Sequence, residues 1–182
     1  MTGVPVVVLD ACVLVNFALC DALLRLAEPP ALFEPRWSDQ IMAETTRTLR
    51  EKLDWPAVLV AHFERELRTH FAEAWVTGHE PLMARMTNDE KDRHVVAAAV
   101  HGGAPAILTF NLRHFRTEDL APWEVTAWHP GEFLCSLYRE NRLTVLNRLQ
   151  QQASDRGRSM TDLLHLLAAT VPEFSALVLA DS

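Results

Sequence analysis

A continuous apolar run, Val4-Pro5-Val6-Val7-Val8-Leu9, ends at Asp10, and a second apolar segment, Val13-Leu14-Val15, follows directly. Such a run predicts a strand over residues 4–9 that is buried on both faces, as in the interior of a parallel sheet. The spacing then turns helical: Val13, Leu14, Phe17, Leu23, Leu24 and Leu26 predict a helix over 12–26. Glu28-Pro29-Pro30 ends it, because the residue before a proline is pushed out of the helical region. Residues 31–34 predict a short second strand. Ser38 reads as the N-cap of the next helix, with Asp39 in its first turn and Ile41, Thr45, Leu49 and Leu53 as an inward stripe. Pro56 marks another boundary. Beyond it Val60, Phe63, Leu67, Phe71 and Ala74 predict an amphipathic helix running to about Trp75.

Asn88-Asp89-Glu90 offers a further helix start, and the almost wholly apolar stretch from Val95 to Val100 predicts a deeply buried helix. His101-Gly102-Gly103 stops it, with glycine past the last turn. Ala106–Thr109 reads as a buried strand and residues 124–128 as another. Strand and helix thus alternate to about residue 128, which predicts an α/β fold of three layers, α/β/α, around a central parallel sheet. From Pro130 onward the pattern is helical only, through 133–138, 143–149, 160–167 and 174–179. The expected organisation is an α/β domain over 1–128 and a helical C-terminal extension over 129–182.

A chain of 182 residues, 49% hydrophobic and 23% charged, has the size and balance of one ordinary globular core. Its apolar runs fall well short of the roughly 18 residues a membrane span needs. The first of them has no basic segment before it, which favours a strand over a signal peptide. Cys12, Cys20 and Cys135 are odd in number and lack C-x-x-C spacing, which argues against a disulfide framework or a zinc site and for a reducing, cytoplasmic compartment. The net charge of −7 is unfavourable for a nucleic-acid enzyme. Clustered metal-ligand acids would inflate that count, and bound cations would offset part of it. The basic residues are nearly all arginine, the better bidentate phosphate ligand.

Three acids change the picture. Asp10 ends a buried strand, where open α/β sheets place their ligands, although a lone Asp there is as often a turn residue. Glu44 flanks the apolar stripe three residues after Ile41 and so sits at the rim of the buried face; alone it would read as a solvated helix residue. Asp92 begins a very apolar helix, where it would also complement the helix N-terminus, and Asp89 is better placed as the cap itself. Carboxylates converging at one sheet edge repel by about 1 kcal/mol at 4 Å even in water, so one of them should titrate high unless a cation is bound.

Their order along the chain forms a pattern. Val8-Leu9-Asp10-Ala11-Cys12-Val13-Leu14, Ile41-Met42-Ala43-Glu44, Asp92-Arg93-His94-Val95-Val96-Ala97-Ala98-Ala99 and Leu108-Thr109-Phe110-Asn111-Leu112-Arg113-His114-Phe115 together resemble the PIN-domain family of metal-dependent ribonucleases. The resemblance covers roughly residues 4–128 and is closest to the VapC-type toxins of bacterial type II toxin–antitoxin pairs. It implies Asp10, Glu44 and Asp92 as metal ligands, and Asn111 as a site residue where many members have a fourth Asp. It also implies Mg²⁺ or Mn²⁺ as cofactor, which hard oxygen ligands select, and hydrolysis of RNA by a metal-activated water. A small cognate antitoxin and homodimers are implied as partners. Three positions matter for how far the pattern carries. Asn111 reduces the negative charge, Cys12 stands where a hydroxyl or amide is common and reads as a packed small residue, and His114 stands where Asp is frequent and reads as an exposed loop histidine.

The extension resembles that of the VapC50-like subgroup of PIN proteins. Between Arg139 and Arg158 it carries Arg139, Arg142, Arg148, Arg156 and Arg158 against Glu140 and Asp155, either as an RNA-gripping surface or as a solvated helix face. Phe133, Leu134, Leu137 and Tyr138 are expected to dock it on the sheet domain. A non-catalytic PIN-like RNA-binding or scaffold protein is the alternative reading, favoured by Asn111 and by the acidic charge. A haloacid-dehalogenase-type phosphoryl transferase would need an acid at Cys12, and no glycine-rich phosphate loop is present.

Overall fold

The computed structural model describes residues 3–181. Strands β1 (Val6–Leu9), β2 (Glu34–Ser38), β3 (Trp75–Val76), β4 (Ala106–Leu108) and β5 (Thr126–Trp128) form one parallel sheet in the order β3-β2-β1-β4-β5. Val7 lies opposite Pro35 on one side and Ala106 on the other, so β1 is central. Val7, Val8, Leu9, Ile107 and Leu108 are wholly buried, as expected of strands covered by helices on both faces. The strand order runs outward from β1 in both directions. The carboxyl ends of β1 and β4 therefore flank the crevice where such sheets take their ligands.

The helices are α1 (Ala11–Leu14), α2 (Phe17–Ala27), α3 (Asp39–Glu51), α4 (Ala57–His70), α5 (Arg93–His101), α6 (Thr117–Leu120), α7 (Pro130–Glu140), α8 (Arg142–Asp155), α9 (Met160–Leu167) and α10 (Pro172–Ala180). Ser38 caps α3, its Oγ accepting the Ile41 N–H at 3.2 Å, and Asp39 lies in the first turn. Before α5, Asp89 accepts the Lys91 N–H at 3.2 Å and opens a single 3₁₀ turn, Glu90–Asp92. The α5 helix ends at Gly102; a Cβ there would come within 2.8 Å of the Val76 side chain and 2.9 Å of the Ala98 carbonyl. Gly103 follows at φ +64°, the left-handed region open to glycine.

Four expectations need correction. The helix placed over 12–26 is two helices, because the Asn16 amide takes the Cys12 carbonyl at 2.7 Å and breaks the ladder before α2. The second strand is Glu34–Ser38, not residues 31–34. The helix after Pro56 ends at His70; Ala72–Ala74 is a 3₁₀ turn and Trp75 begins β3. Leu53, placed on the inward stripe, is 49% exposed beyond the end of α3.

The C-terminal helices share the core of the sheet domain. Phe133 on α7 meets Phe33 edge-on, with ring centroids 5.3 Å apart, and the Gln152 amide on α8 donates to the Ala18 carbonyl at 2.9 Å. Phe133, Leu134, Leu137 and Tyr138 are all buried. Two of the five arginines tie the extension to the sheet domain and a third acts within the extension. Arg156 donates twice to Asp21 (2.9 and 3.1 Å) and lies over the Phe17 ring. Arg148 donates to the Glu28 and Pro29 carbonyls (3.3 and 2.8 Å), and Arg142 to the Asp181 carbonyl at 2.6 Å. Arg139 and Arg158 have no ion pair among the described residues. No helix among the described residues is long and apolar enough to cross a membrane.

Candidate functional site

Asp10 leaves β1 in an extended conformation (φ −70°, ψ 153°) as the residue before α1. Its N–H donates to the Leu108 carbonyl at 3.1 Å, which ties the end of β1 to β4. The side chain is buried, and its Oδ2 accepts from Thr109 Oγ1 at 2.7 Å and from Cys12 Sγ at 3.2 Å. Thr109 continues β4, its N–H reaching the Trp128 carbonyl at 3.1 Å, and its hydroxyl oxygen accepts the Asn111 N–H at 3.0 Å. One hydroxyl therefore orders both Asp10 and the loop that carries Asn111.

Glu44 rides on the second turn of α3 and Asp92 precedes α5. Each meets a histidine. His94 Nε2, wholly buried on α5, lies 3.0 Å from Glu44 Oε1. His114 Nδ1 lies 2.7 Å from Asp92 Oδ2, and Arg113 Nε donates to the opposite ring nitrogen, Nε2, at 3.1 Å. His114 is thus a half-buried, hydrogen-bonded residue on a 3₁₀ turn, Leu112–His114, and not the exposed loop histidine expected from sequence.

Asp10, Glu44, Asp92 and Asn111 all line one cavity of about 270 Å³, together with Ala11, Cys12, Val15, Arg47, Thr48 and Lys52. The sheet edge supplies Asp10 and Asn111, α3 supplies Glu44, Arg47 and Thr48 with Lys52 just past its end, and Asp92 comes from the start of α5. Sequence reasoning missed Arg47 and Lys52. Their signal was helical spacing from Glu44, at three and eight residues on, which keeps them near the same face. It also missed His94, Thr109 and Cys12 as partners of the acids, since nothing local marks a buried histidine as facing a carboxylate.

The Asp92 carboxyl is raised above its ordinary range, first by burial and also by the negative charges of Asp10 and Asp89, against the lowering effect of His114. A cation in the cavity would relieve that charge repulsion. Carboxylate and amide oxygens, with no lysine or arginine paired to Asp10, Glu44 or Asp92 among the described residues, fit a hard divalent ion. Asp89, Asp92 and His114 have ligand-type atoms all within 4.8 Å of one another; Asp10 and Glu44 lie outside that tight group. The Cys12 thiol is pushed up to about 12 by burial, with the Asp10 charge adding to it. It is therefore neutral at physiological pH and acts as a donor. Cys12, Cys20 and Cys135 are all free thiols.

Residues 6–113 match the family described as PIN domain, a stretch that contains all four candidate residues. The chain is also 39% identical over 106 residues to a Mycobacterium tuberculosis protein named "Putative ribonuclease VapC50". That stretch covers 57% of this chain and 63% of the relative, so the match spans less than two thirds of the relative's length. No solved structure matches the chain.

Proposed function

The chain belongs to the PIN-domain family, and from that membership we propose that it is a metal-dependent endoribonuclease and the toxin of a type II toxin–antitoxin pair. The observation that carries the reading is the cavity shared by Asp10, Glu44, Asp92 and Asn111, four residues from separate stretches of chain. The relative's name, a ribonuclease, supports RNA as the substrate. Asp10, Glu44 and Asp92 would hold Mg²⁺ or Mn²⁺, and Asn111 would contribute a neutral amide oxygen at the same edge.

When bound, the ion would supply an activated water and a Lewis acid for the phosphodiester. The chain's own residues do the rest. Thr109 fixes the Asp10 carboxylate at a buried sheet edge, and the Cys12 thiol, held neutral by burial, serves as a donor to Asp10 and not as a nucleophile. Arg47 and Lys52 are exposed at the cavity mouth without ion pairs among the described residues, and they would receive phosphates of the RNA backbone.

A cognate antitoxin, a homodimer and a cytoplasmic location complete the reading. The dimer is supported by exposed apolar side chains at the start of α4, where Val58 is 73% and Leu59 49% exposed. The alternative, a PIN-like RNA-binding or scaffold protein without catalysis, is favoured by the neutral Asn111 and by the net charge of −7.

The test is cleavage of single-stranded RNA with and without Mg²⁺ or Mn²⁺, with Asp10→Asn as control. The substitution is nearly isosteric and keeps an acceptor for Thr109. We expect activity in the wild type to fall at least 100-fold in the variant, with an unchanged circular dichroism spectrum. Equal turnover in a preparation free of contaminating nuclease would reject the assignment.

A further inference from the structure

Each of the three acids has one oxygen close to a protein nitrogen, hydroxyl or thiol, while Asp10 Oδ1, Glu44 Oε2 and Asp92 Oδ1 make no hydrogen bond among the described residues. For Asp10 the donors are Thr109 and Cys12; for the other two the nearest donor is an imidazole. The His114 geometry fixes its tautomer. Arg113 Nε–H occupies the lone pair of Nε2, so Nδ1 carries the ring proton and donates it to Asp92 Oδ2 at 2.7 Å. The ring nitrogen facing Asp92 then has no lone pair for an ion. The short distance between Asp92 and His114 reflects a hydrogen bond, not a ready-made nitrogen ligand.

His94 repeats the arrangement from the interior. It is 0% exposed, and Nε2 sits 3.0 Å from Glu44 Oε1, at hydrogen-bond distance though out of line, while Nδ1 has no partner either. A buried ring with unmatched nitrogens is costly, and the position offers the Glu44 carboxylate in return.

We infer that His94 and His114 are positioning residues: His114 holds one oxygen of Asp92 by a hydrogen bond and His94 faces one oxygen of Glu44 at 3.0 Å, so that the other oxygen of each acid is presented to a divalent cation. Neighbours of metal ligands commonly set affinity in this way. The inference rests on the proposed reading that the cavity takes such an ion, and its test uses an equilibrium readout apart from catalysis. Mn²⁺ affinity would be measured by the electron paramagnetic resonance signal of free Mn²⁺ for the wild type and for His114→Ala, His114→Gln, His94→Leu and His94→Gln.

We expect the Ala and Leu variants to bind Mn²⁺ about 10- to 100-fold more weakly. The Gln variants, which restore an N–H donor, should recover most of that loss. Where RNA is cleaved, kcat at low Mn²⁺ should fall and return at high Mn²⁺, with KM for RNA unchanged. A purely space-filling role would make Leu as good as Gln at position 94. His114 is half-buried, so its pair of variants decides the matter even if His94→Leu does not fold. Mn²⁺ affinity in His114→Ala within about threefold of wild type, or no recovery with Gln, overturns the inference, as does a wild type that binds no Mn²⁺. If the variants lose affinity but no form cleaves RNA, positioning stands and the nuclease reading fails. If cleavage depends on Asp10 but affinity is unmoved, the reverse holds.

Discussion

At the scale of single residues the chain separates buried polar groups that have a partner from those that have none. Asp10 and Thr109 are both buried, and the hydroxyl donates to one carboxylate oxygen. His79, after β3, is equally buried, but neither ring nitrogen has a hydrogen-bond partner among the described residues. Burial lowers its pKa, against the opposing pull of Glu80, and the charges of His94 and His101 lower it further. The unfolded chain, with an ordinary histidine pKa of about 6.5, therefore takes up this proton at a higher pH than the folded one. The stability His79 permits is present in full above that value and is lost as pH falls through the folded pKa. Urea denaturation at pH 7.5 and 5.5 should show the wild type losing stability on acidification, and His79→Phe losing less. Parallel losses in the two proteins would rule His79 out as the source.

At the scale of elements, caps and breakers decide where the site residues stand. Ser38→Ala removes the acceptor at the start of α3, the helix that carries Glu44 and Arg47, and should cost about 1 kcal/mol in chemical denaturation. No change in the midpoint would mean that burial alone fixes the helix start. This cap, the Pro56 boundary and the stop at Gly102-Gly103 were legible in the sequence because each acts on its immediate neighbours. So was the buried run into Asp10. The β3 strand was not legible, since two residues carry no periodicity and Trp75 continues the stripe of the preceding helix. Nor was the position of β2, where Pro35 argues against a strand. Glu34 N–H bonds the Pro5 carbonyl towards β1, so in a parallel ladder Pro35 turns its missing N–H the other way, where β3 pairs only from Trp37 onward. That accommodation comes from a neighbour 40 residues away and leaves no local trace. The same holds at the site: the order of the acids was readable, whereas the donors that hold them come from elements distant in sequence.

At the scale of the whole molecule, the extension and the sheet domain form one core despite the change of pattern near residue 129. Leu149, buried on α8, belongs to the same cluster as Leu19 and Leu23 on α2. Leu149→Ala should cost about 2–5 kcal/mol. All five tryptophans lie before residue 129, so tryptophan fluorescence reports the sheet domain while far-ultraviolet circular dichroism also registers the extension. Coincident unfolding curves from the two signals are expected for both proteins. Curves that separate would show that residues 129–182 unfold on their own.

The sheet ends in margins of two and three residues, β3 and β5, too narrow for a foreign strand to zip onto. Any self-association would then proceed through helical surfaces, where the bare aliphatic side chains of Val58 and Leu59 are among those on offer. Sedimentation should find the wild type paired and Val58→Asp single; an unaltered profile would place the contact elsewhere. A protein closed in this way could pair with its own kind while its sheet of buried strands stays shut to fibril growth.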